Sequence, residues 1–403
     1  MHSATLLPDG RFLIVGGYSS ADAPGSAELY DPASSAFIPT GSLTWSRGGH
    51  TAILLASGKV LILGGYGGSA AAPGFPNVTP AELYDSATGI FTSTASYVGA
   101  VGCDFCPPST RLADGRVLFP QQNQPQLYDP ATSTFRLTGS MIDDHNAATL
   151  LMSGTVLFAG GEDGFGRKSD AELYDPRAGV FSSTCDMLSK RSGHTLTLLP
   201  DGKILAAGGD TDECTGGFCM LGGTLAAELY DPASGAFTAT GNLRGARGTH
   251  TATLLNGGRV LLTGGVAYGR VNVYYGPLAN AELYTPQVAV PAPRLFSLTG
   301  DGTGQGAIWH STTGQLASPA ASAVTGEALS MYTTALTEGG LTPPQVFIGG
   351  RSAEVQYFGD APGYPGFDQV NVRVPDGSVP GFQVPVRLSY LARSSNQVTI
   401  AVQ

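Results

Sequence analysis

A six-residue segment that recurs along the chain constrains its fold more than any other feature. The hexapeptide AELYDP occurs three times, and three further copies differ from it at one or two positions. The aligned tyrosines, 44 to 56 residues apart, are Tyr30, Tyr84, Tyr128, Tyr174, Tyr230 and Tyr284. A period of that length is typical of propellers and solenoids. The sequence therefore predicts one structural unit repeated six times rather than a series of unrelated domains.

Each repeat contains the same four segments in the same order. A first apolar run, such as HTAILLASG at 50–58, ends in a Gly-containing pair that suits a tight hairpin turn. A second apolar run ends in Gly-Gly in five repeats, and the hexapeptide follows it. A last short segment is marked by a phenylalanine in repeats 1 to 5, whereas repeat 6 lacks this outer phenylalanine. No segment has a sustained helical period. Four short antiparallel strands, repeated six times, predict an all-β protein with a six-bladed β-propeller over residues 1–290.

The repeats resemble a known family. The order RGGHTAILL, GKVLILGGY, AELYD and a phenylalanine, seen in repeat 2, is similar to the kelch repeat, and the likeness covers residues 1–290. The resemblance implies a propeller whose Gly-Gly and aromatic positions are scaffold and whose ligands are met by loops at one face. Segments such as HTATLLNGGRVL at 250–261 resemble a bacterial branch that is often compared with galactose oxidase, a copper enzyme.

The pattern changes after the sixth repeat. The segment PQVAVPAPR is rich in proline, and we predict a junction and β-hairpin over 291–317. Residues 318–403 alternate apolar and polar residues between Gly and Pro turns, which predicts a small antiparallel β-sandwich. The segments FGDAPGYPG and SSNQVTIAV resemble the immunoglobulin-like C-terminal domain of many bacterial secreted proteins. That resemblance implies no biochemical activity.

Composition and charge argue against several classes of partner. Only 13% of the residues are charged, and the net charge is −10. An acidic chain with few basic residues is a poor match for nucleic acid or an anionic membrane. No apolar run approaches the ~20 residues of a transmembrane helix. We therefore expect a monomer without nucleic-acid binding or membrane insertion.

Polar residues recur with the repeats as well. Arg-x-x-His precedes the first strand of repeats 2, 5 and 6, as Arg47/His50, Arg191/His194 and Arg247/His250. A catalytic site occurs once in a chain, so we interpret these residues as structural. The hexapeptide Glu changes only in repeat 3, to Gln126, and that repeat also lacks the Arg. The joint loss predicts a buried Glu–Arg pair elsewhere, although repeat 4 keeps Glu172 without an Arg at the matching position.

The five cysteines indicate in which cellular compartment, oxidising or reducing, the protein is located. Cys103 and Cys106 form the motif CDFC, Cys214 and Cys219 form CTGGFC, and Cys185 stands alone. A zinc site would require a second CxxC motif to supply four ligands. A redox-active CxxC motif would be expected at the start of a helix. We predict short-loop disulfides within each motif and hence an extracellular, cell-surface or periplasmic protein. A reduced, zinc-binding set of cysteines is the alternative.

The loops between the second and third strands should share one face of the propeller with the starts of the first strands. Binding residues concentrate on loops that a rigid scaffold positions. One side of this face is rich in tyrosine, which offers a sugar ring a flat apolar partner with a hydrogen-bonding tip. We predict a carbohydrate or protein ligand here, and the alternative is that the loops are simply polar and solvated. The predicted ligand-binding residues are Tyr18, Tyr66, Tyr268, Tyr274, Tyr275 and Gln122.

Another part of the same face is acidic. Carboxylates from repeats 4 and 5 should fall on adjacent blades, and hard cations such as Ca²⁺ select carboxylate and carbonyl oxygens. We therefore predict a calcium site, with Arg167 and Lys168 as the nearby cations. The alternative is that the carboxylates point into solvent and cap turns. The candidate metal ligands are Asp143, Asp144, Glu162, Asp163, Asp210 and Asp212, with Glu213 beside them.

The sequence favours a secreted or surface-exposed, non-catalytic binding or adhesion protein. The alternative is a galactose oxidase-like or other enzyme that uses the propeller face. By resemblance, such copper chemistry would need two His and two Tyr on one metal and a Cys bonded to a Tyr ring. Five of the six histidines fall at or near the repeat position, and His310 lies outside the repeats. Neither of the motifs GxSxG and HExxH occurs.

Overall fold

A computed structural model describes most of the chain as strands, turns and irregular segments. The described residues are 2–17, 25–65, 67, 80–97, 109–120, 124–163, 165–215, 218–268, 274–287, 290–336, 343–364, 366–391 and 393–403. For 213–215, 218–221, 268 and 274–275 the description covers the backbone alone. These residues include no helix, and so none that is long and apolar enough to cross a membrane. The predicted all-β class is confirmed.

Six consecutive antiparallel sheets form the blades of a propeller, which confirms the six predicted repeats. In blades 1 to 3 the strands neighbour one another in chain order. These strands are β1 (Ser3–Leu6), β2 (Phe12–Val15), β3 (Ala27–Asp31), β4 (Ala36–Pro39), β5 (Thr51–Leu54), β6 (Val60–Leu63), β7 (Pro80–Asp85), β8 (Ile90–Ser96), β9 (Thr110–Arg111), β10 (Val117–Phe119), β11 (Gln126–Asp129) and β12 (Thr134–Leu137).

Blades 4 to 6 have insertions between the second and third strands that lengthen those strands or form strands of their own. Their strands are β13 (Ala147–Leu150), β14 (Val156–Asp163), β15 (Gly166–Asp175), β16 (Val180–Ser183), β17 (Thr195–Leu198), β18 (Ile204–Ala207), β19 (Asp210–Thr215), β20 (Phe218–Gly223), β21 (Ala227–Asp231), β22 (Ala236–Ala239), β23 (Thr251–Leu254), β24 (Val260–Thr263), β25 (Val266–Tyr268), β26 (Tyr274–Pro277) and β27 (Ala281–Tyr284). The pairs β19–β20 and β25–β26 are separate two-stranded hairpins. Blade 6 has three described strands, in keeping with the missing outer phenylalanine of repeat 6.

Apolar side chains of neighbouring blades face each other and form one core per blade pair. Between blades 1 and 2, for example, Leu13 and Val15 pack with Val60 and Ile62. The hexapeptide tyrosine adds a polar tie, because its hydroxyl is hydrogen-bonded to a threonine of the preceding blade. At 2.7 to 3.3 Å, these pairs are Tyr84–Thr40, Tyr128–Thr94, Tyr174–Thr138, Tyr230–Thr184 and Tyr284–Thr240.

The glutamate of the hexapeptide is part of a buried ion pair. In blade 2, Arg47 Nη2 donates to Glu82 Oε1 at 2.9 Å, and neither side chain has exposed surface. Backbone N–H groups of Thr44 and Trp45 also donate to this carboxylate. The predicted Glu–Arg pairs are thus confirmed in three blades; the other two are Arg191–Glu228 at 2.5 Å and Arg247–Glu282 at 2.7 Å.

In blade 4 a histidine, His145, takes the place that the arginine occupies in blades 2, 5 and 6. Arg47 reaches both Glu82 and the carbonyl of Gly64, the first residue of the Gly-Gly pair. In blade 4, His145 Nε2 lies 2.9 Å from Glu172 Oε1, and its Nδ1 lies 3.1 Å from the carbonyl of Gly160. His145 therefore contacts the equivalent pair of acceptors, which explains how Glu172 is retained without an arginine.

The aspartate of the hexapeptide closes the turn that follows it. Asp85 Oδ1 accepts the backbone N–H of Ala87 at 3.0 Å, and the carbonyl of Asp85 accepts the N–H of Gly89. Gly89 has a φ of 70°, a conformation that favours glycine. Every polar residue of the hexapeptide thus has an architectural role.

The C-terminal part is one curled sheet, which we call the C-terminal sheet. Its strands are β28 (Ile308–His310), β29 (Ala328–Thr333), β30 (Gln345–Ile348), β31 (Arg351–Asp360), β32 (Asp368–Arg373), β33 (Gly381–Tyr390), β34 (Arg393–Ser394) and β35 (Val398–Val402). The order is β28-β29-β32-β31-β30-β33-β34, and β35 pairs with β33. The sheet bends along β31, whose first three residues pair with β30 and whose later residues pair with β32.

The C-terminal sheet begins earlier than the predicted boundary at 318. β28 pairs with β29, and Leu295 and Ile308 lie in the same core as Met331 and Val398. The physical reason is that apolar residues of the predicted junction complete this core. Because β28 and β29 belong to the C-terminal sheet, the described residues between 287 and 330 form no seventh blade.

Candidate functional site

The recurring histidines lie between blades. His50 Nε2 is 2.8 Å from Ser3 Oγ at the start of β1, and His250 Nε2 is 3.0 Å from Thr195 Oγ1 at the start of β17. Burial and the neighbouring arginine lower the pKa of each of these histidines to about 4. Both therefore act as neutral ties between successive blades, in agreement with the predicted structural role.

His194 of blade 5 departs from this pattern. It packs against Gly160 of blade 4, where an added Cβ would lie 2.8 Å from the ring Cε1. The first residue of β13 is Ala147, so the hydroxyl that the other two histidines contact is absent. Neither ring nitrogen of His194 has a hydrogen-bond partner among the described residues. Burial lowers the pKa of His194 to about 3, which keeps the ring neutral.

The predicted metal ligands of repeats 4 and 5 lie on adjacent blades, with two basic residues of β15 among them. Lys168 and Arg167 each bridge two carboxylates, which neutralises part of the cluster. Within the described chain, no three His, Cys, Asp or Glu side chains converge as metal ligands would. The calcium site therefore stays a prediction. The ion pairs are Lys168–Asp143, Lys168–Asp163, Arg167–Glu162 and Arg167–Asp212.

Asp210 lies apart from these ion pairs. It is 6% exposed, and its Oδ1 has no partner among the described residues. Its carboxylate is close to Gly248, where an added Cβ would meet Oδ1 at 1.9 Å. Burial raises the pKa of Asp210 to about 6, although Arg167 opposes the shift. Asp144 likewise has a buried Oδ1 without a described partner.

The other predicted site residues fall mostly outside the described part. Tyr18, Tyr66, Gln122, Cys103 and Cys106 lie outside the described residues, and so do the side chains of Tyr268, Tyr274, Tyr275, Cys214 and Cys219. The backbone places Tyr268 opposite Tyr274, and Cys214 opposite Cys219 in the β19–β20 hairpin. Cys185 is exposed and is not in a disulfide. The tyrosine surface and the disulfides stay predictions.

A cleft of about 590 Å³ lies on the outer face of the C-terminal sheet. Three adjacent strands supply its floor, because residues that pair directly across strands project to the same face. Trp309 of β28 is opposite Ser330 of β29, and Tyr332 of β29 is opposite Gln369 of β32. The alternate residues of these strands point into the core instead; they include Ile308, Leu329, Met331 and Val370.

Aromatic side chains dominate this cleft. The rings of Trp309 and Tyr332 are 5.5 Å apart at an interplanar angle of 70°, and those of Tyr332 and Tyr364 are 5.5 Å apart at 62°. Phe367, on the β31–β32 connection with Tyr364, meets Phe296 at 5.4 Å. Tyr364 is 57% exposed and Phe367 is 40% exposed. The cleft thus presents two groups of rings in contact, Trp309–Tyr332–Tyr364 and Phe296–Phe367.

The polar groups of the cleft are mainly neutral. Ser311 Oγ and Ser330 Oγ are 2.8 Å apart, and Gln369 completes the floor. His310 lies at the edge, with Nδ1 2.5 Å from Glu327 Oε1 and Nε2 2.9 Å from the carbonyl of Ala321. Burial opposes protonation of His310, but the bond to Glu327 outweighs burial and raises its pKa.

The sequence did not reveal this cleft. Trp309, Tyr332 and Tyr364 are far apart in the chain, and only the strand pairing brings them together. A signal was nevertheless present, since Trp309 and Tyr332 occupy the non-core positions of alternating strands. When several large aromatic residues occupy positions expected to be polar and solvated, they indicate an exposed apolar patch of the kind that binds a ligand or partner.

Comparison with known proteins bears on the fold. No protein-family model and no curated protein matches the chain. A similar solved structure is described as a novel fungal alcohol oxidase with catalytic diversity among the AA5 family, in complex with copper. It matches with a TM-score of 0.58 and 18% sequence identity, over 100% of this chain and 85% of that chain. At this identity the likeness shows the fold alone.

That neighbour is described in complex with copper, and a metal site in the described part of this chain would need several ligand side chains that converge. No three His, Cys, Asp or Glu side chains converge there. The histidines of blades 2, 5 and 6 lie at equivalent places in separate blades, and the hexapeptide tyrosines are hydrogen-bonded to threonines. The described residues therefore form no cluster of His, Cys, Asp or Glu side chains that could hold a copper ion.

Proposed function

We propose that this protein is a non-catalytic binding protein whose ligand lies in the cleft of the C-terminal sheet. The observation that carries the proposal is the row of rings that includes Trp309, Tyr332 and Tyr364 and belongs to no hydrophobic core. Small-ligand sites are mostly apolar pockets of about 300–1,000 Å³ with a few convergent polar groups. The cleft, at about 590 Å³, has that size and that composition.

The chemistry of the cleft supports binding rather than catalysis. Among its lining residues, only His310 belongs to a type that titrates near neutral pH. A general base has to reach the proton that it removes. Both ring nitrogens of His310 are already engaged, by Glu327 and by the carbonyl of Ala321. The described residues of the lining include no carboxylate, thiol or lysine. They offer groups that hold a ligand but few that would transform it.

We extend the proposal to the whole chain. The repeats support a kelch-type propeller that serves as a rigid scaffold, and the C-terminal sheet is its immunoglobulin-like binding part. The paired cysteine motifs around Cys103 and Cys214 support a secreted or surface-exposed protein. The acidic cluster with Asp143 and Asp163 is in this proposal a peripheral calcium site rather than a ligand site.

Tryptophan fluorescence tests the proposal even while the ligand is unidentified. The chain has two tryptophans, so a Trp45→Phe variant leaves Trp309 as the only reporter. A library of neutral, anionic and cationic small molecules should include compounds that change its emission saturably, because Trp309 lines the cleft.

Tyr332→Ala in the same background should abolish these changes. Phe382→Ala removes a 69% exposed ring outside the cleft lining and should leave them intact. The proposal fails if no compound gives a saturable change, or if Tyr332→Ala binds the hits as well as its parent does.

A further inference from the structure

We infer that the cleft of the C-terminal sheet binds a neutral saccharide, an inference that rests on the proposed function and names the ligand class. Sugar rings present apolar C–H faces and a rim of hydroxyls. A complementary site therefore needs flat aromatic side chains beside neutral hydrogen-bonding groups. The cleft combines both features within one continuous surface.

The aromatic row offers apolar ring surfaces to the C–H face of a sugar, although its rings meet edge to face, at 70° and 62°, and do not form one flat plane. Trp309, Tyr332 and Tyr364 follow one another at 5.5 Å between ring centroids, which is the spacing of rings in contact. The first two are fixed by regular strand pairing, so the floor is preformed. Tyr364 lies on the loop between β31 and β32 and is 57% exposed, so it forms the rim of the cleft.

Neutral donors and acceptors lie beside the rings. Ser311 and Ser330 bring two hydroxyls within 2.8 Å of each other. Gln369 Nε2 donates to Asn371 Oδ1 at 2.8 Å across the same face, which orients both amides. A hydroxyl or amide can both donate and accept, as a sugar hydroxyl does. Through these groups the cleft can discriminate between sugars by the positions of their hydroxyls, which a purely apolar surface could not do.

Charge argues against the other common small ligands. The described residues that line the cleft include no lysine, arginine, aspartate or glutamate, and the charge of a protonated His310 is matched by Glu327. Phosphates and carboxylates are recognised by arginine forks, lysines or helix N-termini. A nucleotide or an acidic metabolite would find none of these in the lining. A neutral ligand suits the site best.

A peptide added to the edge of the sheet is also disfavoured. Such binding needs an edge strand with unpaired backbone groups. At the edge strand β28, the N–H of His310 donates to the carbonyl of Gln315 at 2.8 Å, and the N–H of Ala317 donates to the carbonyl of Ile308 at 2.9 Å. The segment around 315–317 therefore already covers this edge.

A glycan array with neutral and acidic glycans, followed by calorimetry on the strongest hit, tests the inference. We expect binding to neutral oligosaccharides, with little effect of added salt because no ion pair is formed. Trp309→Ala and Tyr332→Ala should each weaken binding by about 10-fold or more, as loss of a central aromatic contact does. Phe382→Ala and Trp45→Phe should bind like the wild type, and all variants should keep the wild-type melting temperature within a few degrees.

The outcomes of these experiments separate the two proposals. Neutral glycans bound through Trp309 support both. Hits from the mixed library that need Tyr332, with a silent array, overturn the saccharide inference and leave the binding function standing. Glycan binding that survives both aromatic substitutions overturns the inference, because the saccharide then lies elsewhere. Silence in both the array and the library overturns both.

Discussion

The propeller and the C-terminal sheet use aromatic side chains in opposite ways. In the propeller, Tyr84 and Tyr230 are fully buried, and each ring contacts a phenylalanine ring at a tilt of about 50°. Each hydroxyl is hydrogen-bonded to a threonine of the preceding blade. In the C-terminal sheet, Trp309 and Tyr332 stand on the outer face, and Tyr364 is 57% exposed. Recurrence along this chain therefore marks architecture, and the proposed ligand site lies outside the repeats.

The charged residues show the same contrast. Arg191 and Glu228 form a buried pair within the propeller, with 0% and 2% of their side chains exposed. Arg373 and Glu354 of the C-terminal sheet form a pair with 51% and 56% exposed. Burial makes the first pair indispensable, since either partner alone would be an uncompensated charge. Solvent makes the second pair nearly neutral in energy.

Breaking a buried pair should have the largest effect. Arg191→Met leaves Glu228 charged and buried, which should lower the free energy of unfolding by about 3–5 kcal/mol. Arg373→Ala, the matched change in the C-terminal sheet, should cost less than about 1 kcal/mol. Urea unfolding of the two variants measures both values. Equal losses would contradict the contrast, and Arg191→Met/Glu228→Met should recover much of the first loss because both charges are removed.

Removing one aromatic ring from each region sharpens the comparison. Tyr230→Ala removes a buried ring and its bond to Thr184, which should destabilise the protein by about 3–5 kcal/mol. Tyr332→Ala removes a partly exposed ring and should cost less than about 1 kcal/mol. Thermal melts of both variants give the comparison. A larger loss for Tyr332→Ala would show that the cleft residues hold the fold.

Acidification should weaken the propeller. Burial lowers the pKa of His194 from 6.5 to about 3. The unfolded chain therefore binds a proton that the folded chain does not, and the free energy of unfolding falls as the pH drops below 6.5. The loss is about 1.4 kcal/mol per pH unit for this histidine. His250, with a pKa of about 4, adds to the loss.

Two groups act in the other direction. Asp210 has a pKa raised from 3.8 to about 6, so its contribution to stability falls as the pH rises through that range. In the C-terminal sheet, the raised pKa of His310 stabilises the fold at low pH, and this stabilisation is lost as the pH rises.

Urea unfolding at pH 7 and pH 5 measures how much the free energy of unfolding changes between the two pH values. In His194→Phe this change should be smaller than in the wild type by about 2 kcal/mol. An unchanged dependence would show that His194 is not the titrating group.

The smallest expected effect is an increase in stability. Ala147→Ser places a hydroxyl where Ser3 and Thr195 contact the other histidines, and it should stabilise the protein by about 1 kcal/mol through a bond to His194. Ser3→Ala, the reverse change in blade 1, should cost a similar amount. Denaturant midpoints measure both changes. A destabilised Ala147→Ser variant would mean that the slot beside His194 cannot admit a hydroxyl.

The sequence predicts the propeller better than the cleft, for a physical reason. Because one unit is repeated six times, its strands, turns and buried Glu–Arg pair can be recognised by comparing the copies. The substitution of His145 for an arginine is hidden, since it lies one position away from the histidine of the other repeats. The cleft is hidden more deeply. Its residues become neighbours only through the pairing of β28, β29 and β32, which no local pattern specifies.

The most direct test of the division between scaffold and binding surface is the affinity of one neutral oligosaccharide for two tyrosine variants. Tyr230→Phe removes a hydroxyl from the propeller, and Tyr332→Ala removes a ring from the cleft. Calorimetry should give wild-type affinity for Tyr230→Phe and binding weaker by about 10-fold or more for Tyr332→Ala. Wild-type affinity in Tyr332→Ala would contradict the account, because the saccharide would then bind without the aromatic row.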